Sequence, residues 1–175
     1  MPGFTHESSD VAVRFHRESE WFLFSRVDGL FLWRIQANSE RAVELFHRLA
    51  AHLDVVVDVA IEHPRDGTAW NGALRALQDV REAIGRARWP LASYGGVEFT
   101  LITPDDQLSL MPSLELVIYS RRDAWHARLE AEGVRQRATP PTAQWRSGDV
   151  PWAPAPELTA ALAVLTSRLA LEPGT

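Results

Sequence analysis

Two stretches of the chain alternate apolar and polar positions with a period of two, which predicts half-buried strands. Val11, Val13 and Phe15 alternate with Arg14, His16 and Glu18. Asp54 to Glu62 does so most clearly, with Val55, Val57, Val59 and Ile61 on one side and Asp54, Val56, Asp58, Ala60 and Glu62 on the other. Between them, Trp21 to Ser25 and Leu30 to Ile35 are apolar runs separated by Arg26-Val27-Asp28-Gly29. Asp-Gly in that setting predicts a hairpin, because Gly adopts positive φ without a steric cost. The second run begins Leu-Phe-Leu-Trp, apolar on both sides of a strand, and so predicts cover on both faces of the sheet.

Helical spacing alternates with these segments. Asn38 and Ser39 can cap a helix in which Ala42, Val43, Phe46, Leu49, Ala50 and Leu53 recur three and four residues apart. A turn at His63-Pro64-Arg65-Asp66-Gly67 leads to a second predicted helix carrying Trp70, Ala73, Leu74, Leu77, Val80 and Ile84, which should stop before Pro90. Val97 to Thr103 and Gln107 to Tyr119 read as a hairpin across Pro104-Asp105-Asp106, with Pro112 marking a bulge or an edge. Ser120-Arg121-Arg122-Asp123 fits a capping box ahead of a helix that Gly133 stops. Val134 to Ala138 reads as a short strand. Thr139 to Pro156 is rich in Pro, and Pro156 opens a last helix bearing Leu158, Leu162, Leu165 and Leu169.

This order predicts an α+β fold: a mixed or antiparallel β-sheet with helices packed mainly on one face. Residues 1–175 read as a single globular domain, and the halves 20–88 and 97–171 each read as strand, strand, helix, strand, helix, a ββαβα pseudo-repeat that rests on element order alone. Trp21, Trp33 and Trp70 fall on apolar patterns and are assigned to the core.

Composition narrows the function classes. With no Cys among 175 residues, disulfides, thiolate zinc sites and a cysteine nucleophile are excluded. All 18 basic residues are Arg, so no lysine base, Schiff base or P-loop lysine exists. A net charge of -5 disfavours non-specific binding to nucleic acid or to an anionic membrane. The polar start and the lack of a long apolar run predict a soluble, cytoplasmic protein without a membrane span.

Candidate chemistry is sparse. Glu62, His63, Arg65 and Thr68 form a candidate ligand corner, with His63 as base, Asp66 as its partner and Arg65 as an anion clamp beside the expected helix start. Asp54, Asp58 and Glu62 are too far apart along a strand, about 13 Å for each four-residue step, to act as paired catalytic carboxyls. His47 and His52 are five apart on a helix and point in different directions, so no metal site is expected. No cofactor motif is present, and no cofactor is expected. From Arg121 to Gly148 six Arg face three acids, whereas residues 1–64 hold six Arg against ten acids. That asymmetry, with aromatic residues in the Pro-rich stretch, makes Trp145, Trp152, Arg135 and Arg137 candidates for partner contact. The reading that follows is a non-catalytic binding or regulatory domain with a protein or small-molecule partner. A ligand binder or enzyme at the Glu62 to Thr68 corner is the alternative, nucleic acid is disfavoured, and a homodimer is compatible with the sequence.

Overall fold

The computed structural model describes residues 20–64, 66–139 and 156–174. The strand expected at Val11 to Phe15, Arg65, Trp145 and Trp152 lie outside them.

Strands β1 (Trp21–Val27) and β2 (Leu30–Gln36) form the expected hairpin, with Asp28 and Gly29 both at positive φ in its turn. Helix α1 (Ser39–Ala50) follows, and the Asn38 side chain accepts from the Arg41 N–H as its cap. Strand β3 (Val56–His63) is antiparallel to β4 (Thr68–Ala76), which leads directly into α2 (Leu77–Tyr94). Then come β5 (Glu98–Ile102), β6 (Asp106–Leu110), β7 (Leu116–Ser120), α3 (Trp125–Ala131), β8 (Arg135–Gln136), α4 (Pro156–Arg168) and β9 (Glu172–Pro173).

The nine strands among the described residues join one sheet in the order β8-β1-β2-β7-β6-β5-β3-β4-β9. Every pairing is antiparallel except β1 with β8, so the sheet is mixed, and the fold is the expected α+β class. Registers place Phe22, Ile35, Leu116, Leu110, Phe99 and Ile61 along one rung, and Phe24, Trp33, Ile118, Leu108, Leu101 and Val59 along the next. Except for Phe24, these side chains are 0–2% exposed. The helices cover them with Val43, Leu45, Phe46 and Leu49 of α1, Val80, Ile84 and Leu91 of α2, Trp125 and Leu129 of α3, and Leu158, Leu162 and Leu165 of α4. One core thus lies between the sheet and a single helical layer.

The structure corrects several expectations. Thr68–Ala76 is a strand, not the first turns of a helix, because Gly67 at positive φ turns the chain back on β3 and seven residue pairs align along it. Asn71 and Gly72 favour that outcome, being poor helix formers. The helix then passes through Pro90 and ends at Gly95, whose N–H bonds to Leu91. Gln107 to Tyr119 is two strands, parted by a turn in which Leu114 N–H bonds to Met111 C=O and Met111 N–H to Glu115 C=O. The capping box does not form: Ser120 Oγ accepts from the Arg122 N–H in a turn and donates to Asp106, and α3 starts only at Trp125, without a side-chain cap. Val55, placed on the apolar side of the strand, precedes β3 and is 82% exposed. Over 20–88 the observed order is ββαββα and over 97–171 it is βββαβα, so each half holds one strand beyond the ββαβα unit.

Candidate functional site

Because every helix of the described residues packs on one side, alternation along each strand sends the intervening residues to the other side. Register defines that open face. One rung runs Leu23, Arg34, Val117, Ser109, Thr100, Ala60, Asn71 and Glu172 across eight strands, roughly 34 Å at the usual strand spacing. A second runs Ser25, Leu32, Tyr119, Gln107, Ile102 and Asp58. Val27 pairs with Leu30 beyond it, and Glu98 pairs with Glu62 on the other flank.

The chemistry of this face changes across its width. On β1, β2 and β7 the apolar side chains Leu23, Leu30, Leu32, Val117 and Tyr119 are partly exposed, and Val27 is 42% exposed. In the middle, Thr100 and Ser109 are buried and share a hydrogen bond at 2.8 Å, while Gln107 donates to Ser109 Oγ at 3.2 Å. On β3 and β5 the face carries exposed Asp58 and Glu62, with Glu98 directly across from Glu62, beside the exposed apolar side chains of Val56 and Ile102. Like charges in opposed positions destabilise a sheet. Near the apolar end of this face, Arg34 is held by Glu115 through two hydrogen bonds of 3.0 and 3.1 Å. Arg135 is exposed on the β8 edge, in register with Trp21 and therefore on the same face. Arg137, two residues on, shares that side of the strand, and its N–H bonds to Phe22 C=O.

The Glu62 to Thr68 corner is the hairpin between β3 and β4, so it does not stand at a helix start. It brings together His63 and Asp66, whose Nδ1 and Oδ2 are 2.8 Å apart, while the Asp66 N–H bonds to His63 C=O at 3.1 Å. Thr68 pairs with His63 across the hairpin. Glu62 does not join them, because adjacent strand residues point to opposite faces. The proposed ligands therefore diverge: His63 and Thr68 lie on the helical side, and Glu62 on the open side.

A buried polar cluster with no signature in the sequence pattern centres on Asp106. Asp106, at the start of β6, has a fully buried side chain. Its carboxylate accepts from Ser120 Oγ at 2.5 Å, from Trp125 Nε1 at 2.9 Å and from the Arg122 guanidinium. Burial pushes its pKa up, but these three donors and the Arg122 charge prevail and hold it below the usual carboxylate value. On the far side of Trp125, the Arg128 guanidinium sits 4.7 Å over the indole ring and the His52 ring meets it edge-on. Burial, then the Arg128 charge, lower the His52 pKa. Arg121 to Arg137 is thus not one basic strip: Arg122 and Arg128 are committed to Asp106 and Trp125 on the helical side, while Arg135 extends the open face.

Comparison with protein-family models, with curated proteins and with solved structures returns no match to this chain.

Proposed function

We propose that this protein is a non-catalytic interaction domain whose open sheet face receives a protein partner. The observation that carries the reading is the two-sided apolar run Leu30 to Trp33: Trp33 is buried beneath the helices, but Leu30 and Leu32 face the side that no described helix covers. With Leu23, Val27, Val117 and Tyr119 they make a contiguous apolar area on three adjacent strands, and contiguous exposed apolar surface of this kind marks interaction sites. A partner that fits places apolar side chains over Leu32 and Tyr119 and basic side chains toward Asp58, Glu62 and Glu98.

The test compares affinity capture from the native host by the wild-type chain and by Leu32→Glu, read by quantitative mass spectrometry. Proteins depleted at least tenfold from the Leu32→Glu sample are the expected result. An identical set captured by both, with the variant folded by circular dichroism, removes the open face from the account.

The alternative, a small-molecule site at the hairpin corner, is supported by the His63 and Asp66 pair, an imidazole oriented by a carboxylate. Its test is the His63→Gln variant in a metabolite-retention experiment, where loss of a bound small molecule would favour it.

A further inference from the structure

The helical layer carries a second uncovered feature, independent of the open sheet face because it lies on the opposite side of the molecule. Helices α2 and α4 run antiparallel. Glu82 near one end of α2 bonds to Arg168 at the end of α4, and Tyr94 at the other end of α2 donates to Glu157 at the start of α4. Between them is a groove of about 260 Å³ lined by Ala83, Arg86, Ala87, Ala160, Ala161 and Val164. Small side chains on both helices leave it open. Val164 on its wall is 62% exposed. A large exposed apolar side chain on an apolar groove at the outer surface indicates missing cover.

Charge identifies the cover. At one end of the groove Arg86 and Arg168 share the single carboxylate of Glu82, both at 2.8 Å, leaving one surplus positive charge. At the other end Glu157 accepts from the neutral Tyr94 hydroxyl, leaving one surplus negative charge. The exposed stripe of α4 therefore reads Glu157, Ala160, Val164 and Arg168, acidic at its start, apolar in its middle and basic at its end. Such a stripe is complementary to itself when turned end for end. We propose that the α2–α4 groove is the contact between two copies of this chain, with the two α4 helices antiparallel about a twofold axis. In that arrangement Glu157 meets the partner's Arg168, and Ala160 meets the partner's Val164, a small residue receiving a larger one. The contact is isologous, as a twofold interface requires, and its alanines let the helix axes approach closely.

Sedimentation equilibrium on the full chain, up to roughly 100 μM and so about two decades above a micromolar Kd, tests this. The wild type is expected at twice the 19.6 kDa chain mass and Val164→Glu at the chain mass, with unchanged thermal unfolding of the variant in dilute solution. Two further variants, Glu157→Arg and Arg168→Glu, each weaken self-association at least tenfold when alone, since each places like charges together at both ends. Mixed, they form a heterodimer, because both ends are then complementary. A wild type that stays monomeric overturns the proposal. So does a dimer that survives Val164→Glu, or a mixture of the two charge variants that does not associate.

Discussion

The indole Nε1 of Trp125 donates to Asp106 Oδ1 at 2.9 Å, joining the first turn of α3 to the start of β6 across 19 residues of sequence. Ser120 Oγ donates to the same oxygen and Arg122 to the other, so one buried carboxylate ties together two strand ends and a helix. Removing it leaves a buried indole N–H and a hydroxyl without an acceptor. Asp106→Ala is expected to cost about 3 kcal/mol, since hydrogen bonds to a charged group contribute about 1.5–3 kcal/mol each and the exposed part of Arg122 can turn to water. Urea unfolding measures it, and a loss under about 1 kcal/mol would mean the latch is incidental.

The same carboxylate predicts an acid response. Its folded pKa lies below its unfolded value of about 3.9. The stability it contributes is therefore fully present above that value and lost as pH falls through the lower folded pKa. Thermal melts from pH 6 to pH 2 should show a fall below about pH 4 that is reduced in Asp106→Asn. Superimposable profiles would contradict the assignment.

His47 and His52 both have lowered pKa values, each chiefly from burial and then from a neighbouring Arg: Arg81 and Arg88 for His47, Arg128 for His52. A depressed His pKa means that protonation opposes folding, so these groups favour stability above about pH 6.5 and withdraw that contribution as pH drops. Imidazole shifts followed by NMR should titrate with midpoints below 6.5 for both residues, and Arg128→Gln should raise the midpoint of His52 toward the ordinary value. A midpoint above 6.5 for His52 would be inconsistent with its packing beside Arg128.

Pro90 lies inside α2, where it supplies no N–H to the Arg86 carbonyl. Pro90→Ala restores that donor at a position where the helix already exists. It should stabilise the protein by about 1–3 kcal/mol, the scale of an interior proline penalty. Loss of stability in a urea titration would show that the ring's packing outweighs the missing bond.

Gly72 brings β4 close to the chain end. A Cβ there would fall 2.4 Å from Leu171 Cδ2 and 2.7 Å from Arg75 Nε, which packs under Ala170 C=O through a 2.7 Å bond from Arg75 Nη2. Gly72→Val should destabilise by about 1–3 kcal/mol, as overpacking does. A neutral result would mean that the segment after α4 yields freely.

The parts of the fold legible in the sequence were those where local chemistry and tertiary context agree. Asp28-Gly29 forces a hairpin wherever its flanking strands go, and Asn38 caps α1 with its own side chain. Thr68–Ala76 looks helical in the sequence because Trp70, Ala73, Leu74 and Leu77 fall at helical spacing by coincidence. What decides that segment is pairing with β3, together with a bulge where Asp58 Oδ1 accepts from the Leu74 N–H at 2.8 Å, neither visible in the local pattern. Ser120-Arg121-Arg122-Asp123 matches a capping box, but Ser120 Oγ accepts from the Arg122 N–H in a turn while donating to the buried Asp106 carboxylate, and the helix starts only at Trp125. For the candidate surface, the two-sided apolar run at Leu30 to Trp33 was the available signal. By itself that run predicts cover on both faces, and only the one-sided placement of the helices turns Leu30 and Leu32 into surface.

A photo-crosslinking amino acid placed at single positions measures most directly whether a partner binds the sheet face away from the helices. Inserted at Tyr119 or Leu32 in the full chain and irradiated in the native host, it should yield a discrete heteromeric adduct. The same group at Thr68, on the helical side of the hairpin, should not. Equal adducts from both sides, or adducts from Thr68 alone, would contradict the claim.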